Sequence, residues 1–534
     1  MLRRQALSGC RGTHTLQSPR RPCCNPLCCF VERHLRMRIV LASSEAVPFS
    51  KTGGLADVAS ALPKSLALLG HEVTLITPYY PRTLVGQGSQ TPQISNTGRE
   101  VSVRIAGRTV TARILQSQLP SSSVTVYLID QPGYFDRPGL YVDGDRDYPD
   151  NCERFTFFSR AVLEAARVLN LQADIFHAND WQTGLVPALL KAEYSRVPGF
   201  SHAAAVFTIH NMAFQGQFWH WDMLLTGLDW KYFNWRQMEF FGNLNLLKTG
   251  IVFSDMVTTV SPTYAREIQT AEFGCGMHGV LSSRRDDLVG ILNGCDTEVW
   301  NPTTDPLIPC NYDLHSVFEG KAVCKQHLQR QFGLPERPGS PLIGSVSRIT
   351  SQKGFDLIAA CGARLAELDL QMVFLGTGDK TYEQRLQKLA ADFPDKIAVR
   401  IGYDEALSHL IEAGSDLFLM PSQFEPCGLN QMYSLIYGTP PIVRAVGGLA
   451  DSVVDATEAN MSHGIANGFT FYESDSDVLF RQICRAVGLM LDRRSWSQLV
   501  RTGMERDWSW RRSAAEYVRT YDRALQKRAA VAAE

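Results

Sequence analysis

Three things are missing from this chain of 534 residues, and each absence removes a class of protein. No uninterrupted apolar run reaches the roughly 18 residues that a membrane-spanning helix needs, so no membrane partner is expected. Neither sign of charge is in excess, with 53 Lys and Arg against 54 Asp and Glu. Bulk electrostatics therefore offer a nucleic acid nothing, and no nucleic-acid partner is expected. Cysteine spacing shows no regularity either. Of 13 cysteines, five (Cys10, Cys23, Cys24, Cys28 and Cys29) fall in the first 36 residues. The others, Cys152, Cys275, Cys295, Cys310, Cys324, Cys361, Cys427 and Cys484, are scattered. That pattern suits a reducing compartment and not a disulfide framework.

What is present is an ordinary globular composition, 45% hydrophobic and 20% charged, with a length suited to about two to four domains. Residues 1–36 stand apart, with seven arginines against a single acidic residue, Glu32. They admit three readings: a zinc site at Cys23-Cys24…Cys28-Cys29, an organelle transit peptide, or a stretch ahead of a true start at Met37. The third is adopted, because the first credible core strand, Arg38-Ile39-Val40-Leu41-Ala42, begins there.

From that strand the chain runs through Lys51-Thr52-Gly53-Gly54 into a helical pattern from Val58 to Leu69, and then to a strand at Val73–Thr77. Glycines at a strand-to-helix turn let backbone N–H groups approach an anion, and Lys51 adds charge. The turn reads either as such a site or as a tight turn with a surface lysine. It is neither a P-loop nor a GxGxxG fingerprint. Two more apolar runs end in polar strings. Ala173–Ala178 leads to Asn179-Asp180-Trp181-Gln182, and Ala203–Ile209 leads to His210-Asn211, followed by Phe214 and Gln215. His210 reads either as a satisfied structural histidine or, with Asn211, Phe214 and Gln215 after it, as part of a group suited to sugar recognition by hydrogen bonds and an aromatic platform. Ten aromatics crowd residues 214–243 and read either as an acceptor-glucan surface, on which sugar rings would stack, or as a helical hairpin packing its own core, and packing is expected for most of them. Ser254–Pro262 reads as the last strand of this half.

After a Pro-rich stretch the pattern repeats. The strand Leu342–Val346 leads to Arg348 and Lys353-Gly354, then to a helix from Leu357 to Leu368. Lys51 and Lys353 thus occupy like positions in two Rossmann-like halves. A diphosphate needs about two compensating cations where no metal is held, and Arg348 with Lys353 supplies them. No metal triad or DxD pair stands at a strand end, so no metal site is expected. Farther on, Leu417–Met420 reads as a buried strand that stops at Pro421 and feeds the loop carrying Glu425. A helix-like segment to Tyr437, a strand at Pro441–Val443 and the pair Gly447-Gly448 come next. A terminal helix, Trp510–Gln526, carries an apolar stripe at Ala514, Tyr517, Val518, Tyr521 and Leu525.

The segment from Phe424-Glu425-Pro426-Cys427-Gly428-Leu429 to Gly447-Gly448-Leu449-Ala450-Asp451 resembles the donor-binding segment of bacterial glycogen synthases and plant starch synthases. The strings KTGGLAD, HANDWQ, the HN pair, SRITSQKG and FEPCGL occur in that family's order from Met37 almost to the end. The chain departs from the family at Asn179, where HAHDW is usual, and at Cys295, where Ile is usual. Tyr433 stands where a related group has the second Glu of Glu-x7-Glu, which sets the chain apart from sucrose- and trehalose-type transferases.

The resemblance implies an α/β chain of GT-B architecture, with two doubly wound Rossmann-like domains facing across a cleft. Their expected limits are 37–285 and 286–505, followed by a helix at 506–534 that crosses back to the first domain. The implied reaction moves glucose from ADP-glucose to the non-reducing end of an α-1,4-glucan, glycogen or starch, with retention and without a cofactor or metal. Lys51, Gly53, Gly54, Asp57 and Asn211 would line the substrate site. Arg348 and Lys353 would neutralise the diphosphate, and Glu425 would hold the transferred glucose with the backbone of Cys427, Gly428 and Leu429. Asp180 and His210 would lie against the sugar. The implied location is the cytoplasm, or a plastid if residues 1–36 are a transit peptide. A transferase acting on a small acceptor and a non-enzymatic glucan-binding scaffold are the competing readings.

Overall fold

A computed structural model describes residues 36–83, 92–144 and 146–533. The readings of the opening segment fall outside them. Two sheets organise the rest. The first has nine strands, in the spatial order Leu288–Gly290, Met256–Thr259, Ala204–Ile209, Ile175–Asn179, Arg38–Ala42, Glu72–Pro78, Thr125–Asp130, Arg108–Gln118 and Ser95–Ile105. The first seven run parallel, and the last two form an antiparallel hairpin at the edge. Alternate residues of the central strand face opposite cores. Val40 and Ala42 pack with Phe155 and Phe158, whereas Ile39 and Leu41 pack with Leu75 and the terminal helix. A sheet covered on both faces needs strands that are apolar throughout, which is why this one reads as an unbroken run.

The second sheet has six parallel strands: Leu342–Val346, Gln371–Gly376, Ile397–Ile401, Leu417–Met420, Pro441–Arg444 and Phe469–Phe471. Numbered along the chain, they lie in the order 3-2-1-4-5-6, the doubly wound arrangement. Leu417 and Leu419 face one core while Phe418 and Met420 face the other.

Four features differ from the sequence expectation. Met256–Thr259 is not the last strand of its sheet, because Leu288–Gly290 pairs alongside it and carries the first lobe past residue 285. The first helix spans Gly54–Leu68, beginning four residues early, which puts Asp57 in its first turn. The edge hairpin Ser95–Gln118 was not anticipated.

The aromatic segment 214–243 is no helical hairpin. It folds as short turns around a three-stranded sheet of Gln217–Phe218, Asn243–Asn245 and Glu239–Phe240. Phe214, Trp219, Trp221, Trp230, Trp235 and Phe241 are exposed. Polar residues such as His220, Asp222, Asp229 and Lys231 interrupt the rings, so no apolar stripe forms for a partner helix to cover.

The terminal helix, Trp510–Ala533, packs on the first sheet and on Gly54–Leu68. Ala514, Tyr517, Val518 and Tyr521 are buried there, and the Tyr521 hydroxyl lies 2.9 Å from His177 Nδ1. Among the described residues no helix is long and apolar enough to cross a membrane.

Candidate active site

Ligands in open parallel sheets bind beyond the carboxyl ends of the strands, where the chain's winding reverses direction. In the first sheet that point lies between Arg38–Ala42 and Ile175–Asn179, and in the second between Leu342–Val346 and Leu417–Met420. The loops after these four strands carry Lys51, Asp180, Lys353 and Glu425, one each.

In the first lobe the turn after Arg38–Ala42 is organised by Glu45, a buried carboxylate. Glu45 accepts hydrogen bonds from the Thr52 amide and hydroxyl, both at 2.6 Å, and from the Tyr141 hydroxyl at 2.6 Å. The Gly53 amide adds a longer contact of 3.3 Å. This corrects one expectation. The amides of Thr52 and Gly53 turn back onto Glu45, so what the turn offers an anion is the N-terminus of Gly54–Leu68 and the charge of Lys51. That charge is shared, because Lys51 Nζ sits 2.8 Å from Asp57 Oδ1. Burial pushes the Asp57 carboxyl up, against the pull of Lys51.

Beside this turn Asp180 adopts a left-handed backbone, φ +56°, rare for a residue with a side chain and common at functional sites. Its Oδ1 accepts the His210 amide at 2.7 Å. Burial, with a smaller push from the charge of Glu45, raises its pKa to about 7. Burial lowers that of His210 to about 3, so the ring is neutral at physiological pH. Asn179 decides the tautomer. Its amide nitrogen donates to the Ala42 carbonyl at 3.1 Å, and its oxygen faces His210 Nε2 at 2.9 Å. Nε2 therefore carries the proton, and Nδ1 is left as an acceptor.

The second lobe supplies opposed charges. Lys353 Nζ lies 2.5 Å from Glu425 Oε2, with Ser422 Oγ 3.2 Å from the same oxygen. Both ion-pair partners are largely shielded, at 16% and 9% side-chain exposure. Gly354, at φ +77°, makes the pairing possible, because a Cβ there would stand 2.2 Å from the Pro421 carbonyl oxygen. Arg348 is exposed in the cleft and reaches Gln352 Oε1 at 3.5 Å, the limit of a hydrogen bond. Cys427 is buried, and burial pushes its thiol up to about 12, so it fills space and is no nucleophile.

The Glu425 loop is also braced from behind. Cβ atoms on Gly447 and Gly448 would come within 1.9 Å of the Glu425 carbonyl oxygen and 2.1 Å of that of Cys427. From the first lobe, Ser261 Oγ donates to the Pro426 carbonyl at 2.8 Å. The Thr263 amide and hydroxyl each reach Asp451 at 2.7 Å, and the Gly447 amide reaches Glu267 at 3.0 Å.

One cleft of about 2290 Å³ gathers the residues expected to bind substrate or take part in the reaction. Lys51, Gly53, Gly54, Asp57, Asp180, His210 and Asn211 line it from the first lobe. Arg348, Lys353, Glu425, Cys427, Gly428 and Leu429 line it from the second. The two surfaces approach closely, since a Cβ on Gly54 would lie 4.0 Å from Leu429 Cδ1. Glu45, Tyr141 and the exposed Tyr403 also line the cleft and were not anticipated. Glu45 could have been suspected as a carboxylate next to a strand tip, whereas nothing near Tyr141 in the sequence signals its partner 96 residues away. Among the described residues no group of three or more His, Cys, Asp or Glu is placed to hold a metal ion, and the eight described cysteines are free.

Comparison with known proteins agrees with this geometry. Residues 38–283 match the family model described as the starch synthase catalytic domain, and residues 328–498 match glycosyl transferases group 1. The glycogen synthase of Koribacter versatilis is 47% identical over 493 residues, spanning 92% of this chain and 99% of that protein. That of Anaeromyxobacter dehalogenans is 47% identical over 487 residues, spanning 91% and 99%. Among solved structures, the catalytic domain of starch synthase IV from Arabidopsis thaliana, bound to ADP and acarbose, superposes with a TM-score of 0.85 at 34% identity. It covers 92% of this chain and 100% of that one. A sucrose-phosphate synthase from Thermosynechococcus elongatus, at 16% identity and a TM-score of 0.55, shares the fold. With both lobes matched in order and the strand-tip residues gathered in one cleft, the chain belongs to the glycogen synthase and starch synthase family of GT-B glycosyltransferases.

Proposed function

We propose that the chain transfers glucose from ADP-glucose to the non-reducing end of an α-1,4-glucan, with retention of configuration. The observation that carries this reading is the meeting of two winding-reversal points across one cleft. One brings Asp180 and His210 to the cleft, groups suited to a sugar, and the other brings Arg348 and Lys353, charges suited to a departing diphosphate. The Arabidopsis relative, solved with ADP and acarbose, supports the same pairing of ligands.

The chemistry is set by the side chains. Breaking the bond between glucose and diphosphate builds negative charge on the leaving phosphate and positive charge on the sugar. Lys353, held beside Glu425, and Arg348 meet the first charge as it develops. The carboxylates of Glu425 and Asp180 offset the second. Neutral His210 offers Nδ1 as an acceptor for a sugar hydroxyl, with its ring oriented by Asn179. The acceptor hydroxyl enters on the face the phosphate leaves and gives its proton to a phosphate oxygen, so the anomeric configuration is kept. In this reading the compensating charge comes from side chains and needs no metal or other cofactor.

The test is transfer of label from ADP-glucose and from UDP-glucose, with and without glycogen. Label in polymer that depends on glycogen and on ADP-glucose supports the proposal. Label only in small products would favour a small acceptor, and no turnover would favour a binding scaffold. The proposal places the reaction in the cytoplasm, or in a plastid if residues 1–36 act as a transit peptide. N-terminal sequencing of the mature protein separates the two.

A further inference from the structure

The transfer proposed above needs Asp180 and His210 on one lobe to stand in register with Glu425 on the other, yet the two sets reach the cleft on separate loops. Behind both loops lies one short helix of the first lobe, Pro262–Glu267. It is tied to each side. Toward its own lobe, the buried Tyr264 hydroxyl accepts the Met212 amide at 3.0 Å, close after His210 in the chain. Toward the other lobe, Ser261 caps the helix by accepting the Tyr264 amide at 3.1 Å and donates to the Pro426 carbonyl at 2.8 Å, next to Glu425. The tie continues on the helix Gly447–Ser452 of the second lobe. The Thr263 amide and hydroxyl reach Asp451 Oδ2 and Oδ1, both at 2.7 Å, so that carboxylate is held at both oxygens. Glu267 accepts the Gly447 amide at 3.0 and 3.1 Å, and the Gly448 amide donates to the Glu425 carbonyl at 3.1 Å. Gly447 has a left-handed backbone, φ +46°, and a Cβ there would stand 1.9 Å from that same carbonyl oxygen. A shift of this second helix is therefore a shift of the Glu425 backbone.

We propose that Thr263 and Asp451 are positioning residues for the glucose transfer: by pinning Pro262–Glu267 to Gly447–Ser452 they fix Glu425 against Asp180 and His210. The inference rests on the reaction proposed above and names how its two half-sites are kept in line. Neither residue lines the cleft, so each acts through the loops it braces and not by touching substrate. Hydrogen bonds to a carboxylate are directional and strong, so they set register where apolar contact between lobes would tolerate sliding. Register at this level matters to the rate, because a misplacement of about 1 Å at the reacting atoms can cost about a hundredfold.

The test compares the wild type with T263V, D451A and T263V/D451A. It combines kinetics on ADP-glucose and glycogen with amide hydrogen exchange over residues 210–215 and 425–429. T263V keeps the shape of the side chain and removes only its hydroxyl. It should lower kcat about tenfold, the worth of one hydrogen bond to a charged acceptor, and leave the KM for ADP-glucose unchanged. T263S should restore kcat. The double variant should lose no more than D451A does, because both substitutions break one pair. Exchange should rise in both loops together, although they belong to different lobes. The Thr263 hydroxyl also accepts from Arg266 Nη2 at 2.7 Å, so R266A is the control and should keep the wild-type kcat. Unchanged kcat in T263V and D451A would overturn the proposal, as would losses that add in the double variant or an equal loss in R266A. A lowered unfolding temperature with unchanged kcat would make the pair a matter of cohesion alone, which also overturns it. Joint exchange of the two loops in a protein that transfers no glucose would leave the pinning in place and remove the proposed reaction instead.

Discussion

The two winding-reversal points are built on the same plan and furnished in opposite ways. In the first lobe the polar groups are buried and turned on one another. Glu45 holds its own turn, Asp180 holds the His210 amide, and Asn179 holds the His210 ring. Burial has pushed Asp180 up to about 7 and His210 down to about 3, so His210 is uncharged and Asp180 carries its charge only from about neutral pH upward. The second lobe keeps full charges within reach of the cleft, with Lys353 against Glu425 and Arg348 exposed. One architecture thus supports two kinds of chemistry, set by the loop residues at each strand tip. A desolvated, hydrogen-bonding site suits the hydroxyls of a sugar, and a charged site suits a diphosphate.

If this division is right, removing charge from the second lobe should cost the most. K353A is expected to lower kcat by about a hundred- to a thousandfold, the range for losing one group that stabilises developing charge, with thermal unfolding little changed. E425Q should also cripple turnover, since it removes one carboxylate near the sugar and frees Lys353 from its partner. Steady-state kinetics on either variant with near-normal kcat would erase the contrast between the lobes.

D180N, in the first lobe, tests the role of a buried carboxylate. Because the folded-state pKa is about 7, kcat/KM should rise with pH through that value as Asp180 ionises. The variant should lose that limb along with most of the activity. A pH profile identical to the wild type would take Asp180 out of the reaction.

N179A should act more mildly. It frees the His210 ring, and loss of one orienting hydrogen bond predicts a fall in kcat of about tenfold or less. Restoration by N179Q, even in part, would separate orientation from packing.

The smallest effect concerns stability alone. His177 lies buried between Tyr521 and Thr208, and burial lowers its pKa from an ordinary 6.5 to about 3. The unfolded chain takes up a proton below about 6.5 that the folded chain refuses. His177 therefore removes about 1.4 kcal/mol of stability per pH unit as pH falls from there toward 3. His210 acts in the same direction. Asp180 opposes them, because the folded carboxyl keeps its proton up to about 7. Denaturant melts at pH 7 and pH 5 should show a smaller difference in H177Q than in the wild type. An equal difference would contradict the assignment.

How much of this could be read beforehand depended on burial. Arg38–Ala42, Leu342–Val346 and Leu417–Met420 were legible because strands covered on both faces are apolar throughout, and each ends at the residues the cleft uses. The edge hairpin Ser95–Gln118 escaped because one face meets water, so its sequence alternates and carries no chemistry at its tips. Glu45 and Tyr141 escaped for another reason. A buried carboxylate is explained by its partners, and these are joined only by folding. Asn179 looked like a departure from the family pattern until its oxygen was found on His210. The aromatic run misled because ring count suggests packing, whereas the polar residues between the rings decide exposure.

The most direct test of the central claim is the initial rate of glucose transfer from ADP-glucose to glycogen in excess chelator, before and after adding magnesium. If Arg348 and Lys353 supply the charge that lets the nucleotide leave, the rate stays the same throughout. A rate that vanishes in chelator and returns with magnesium would contradict the account.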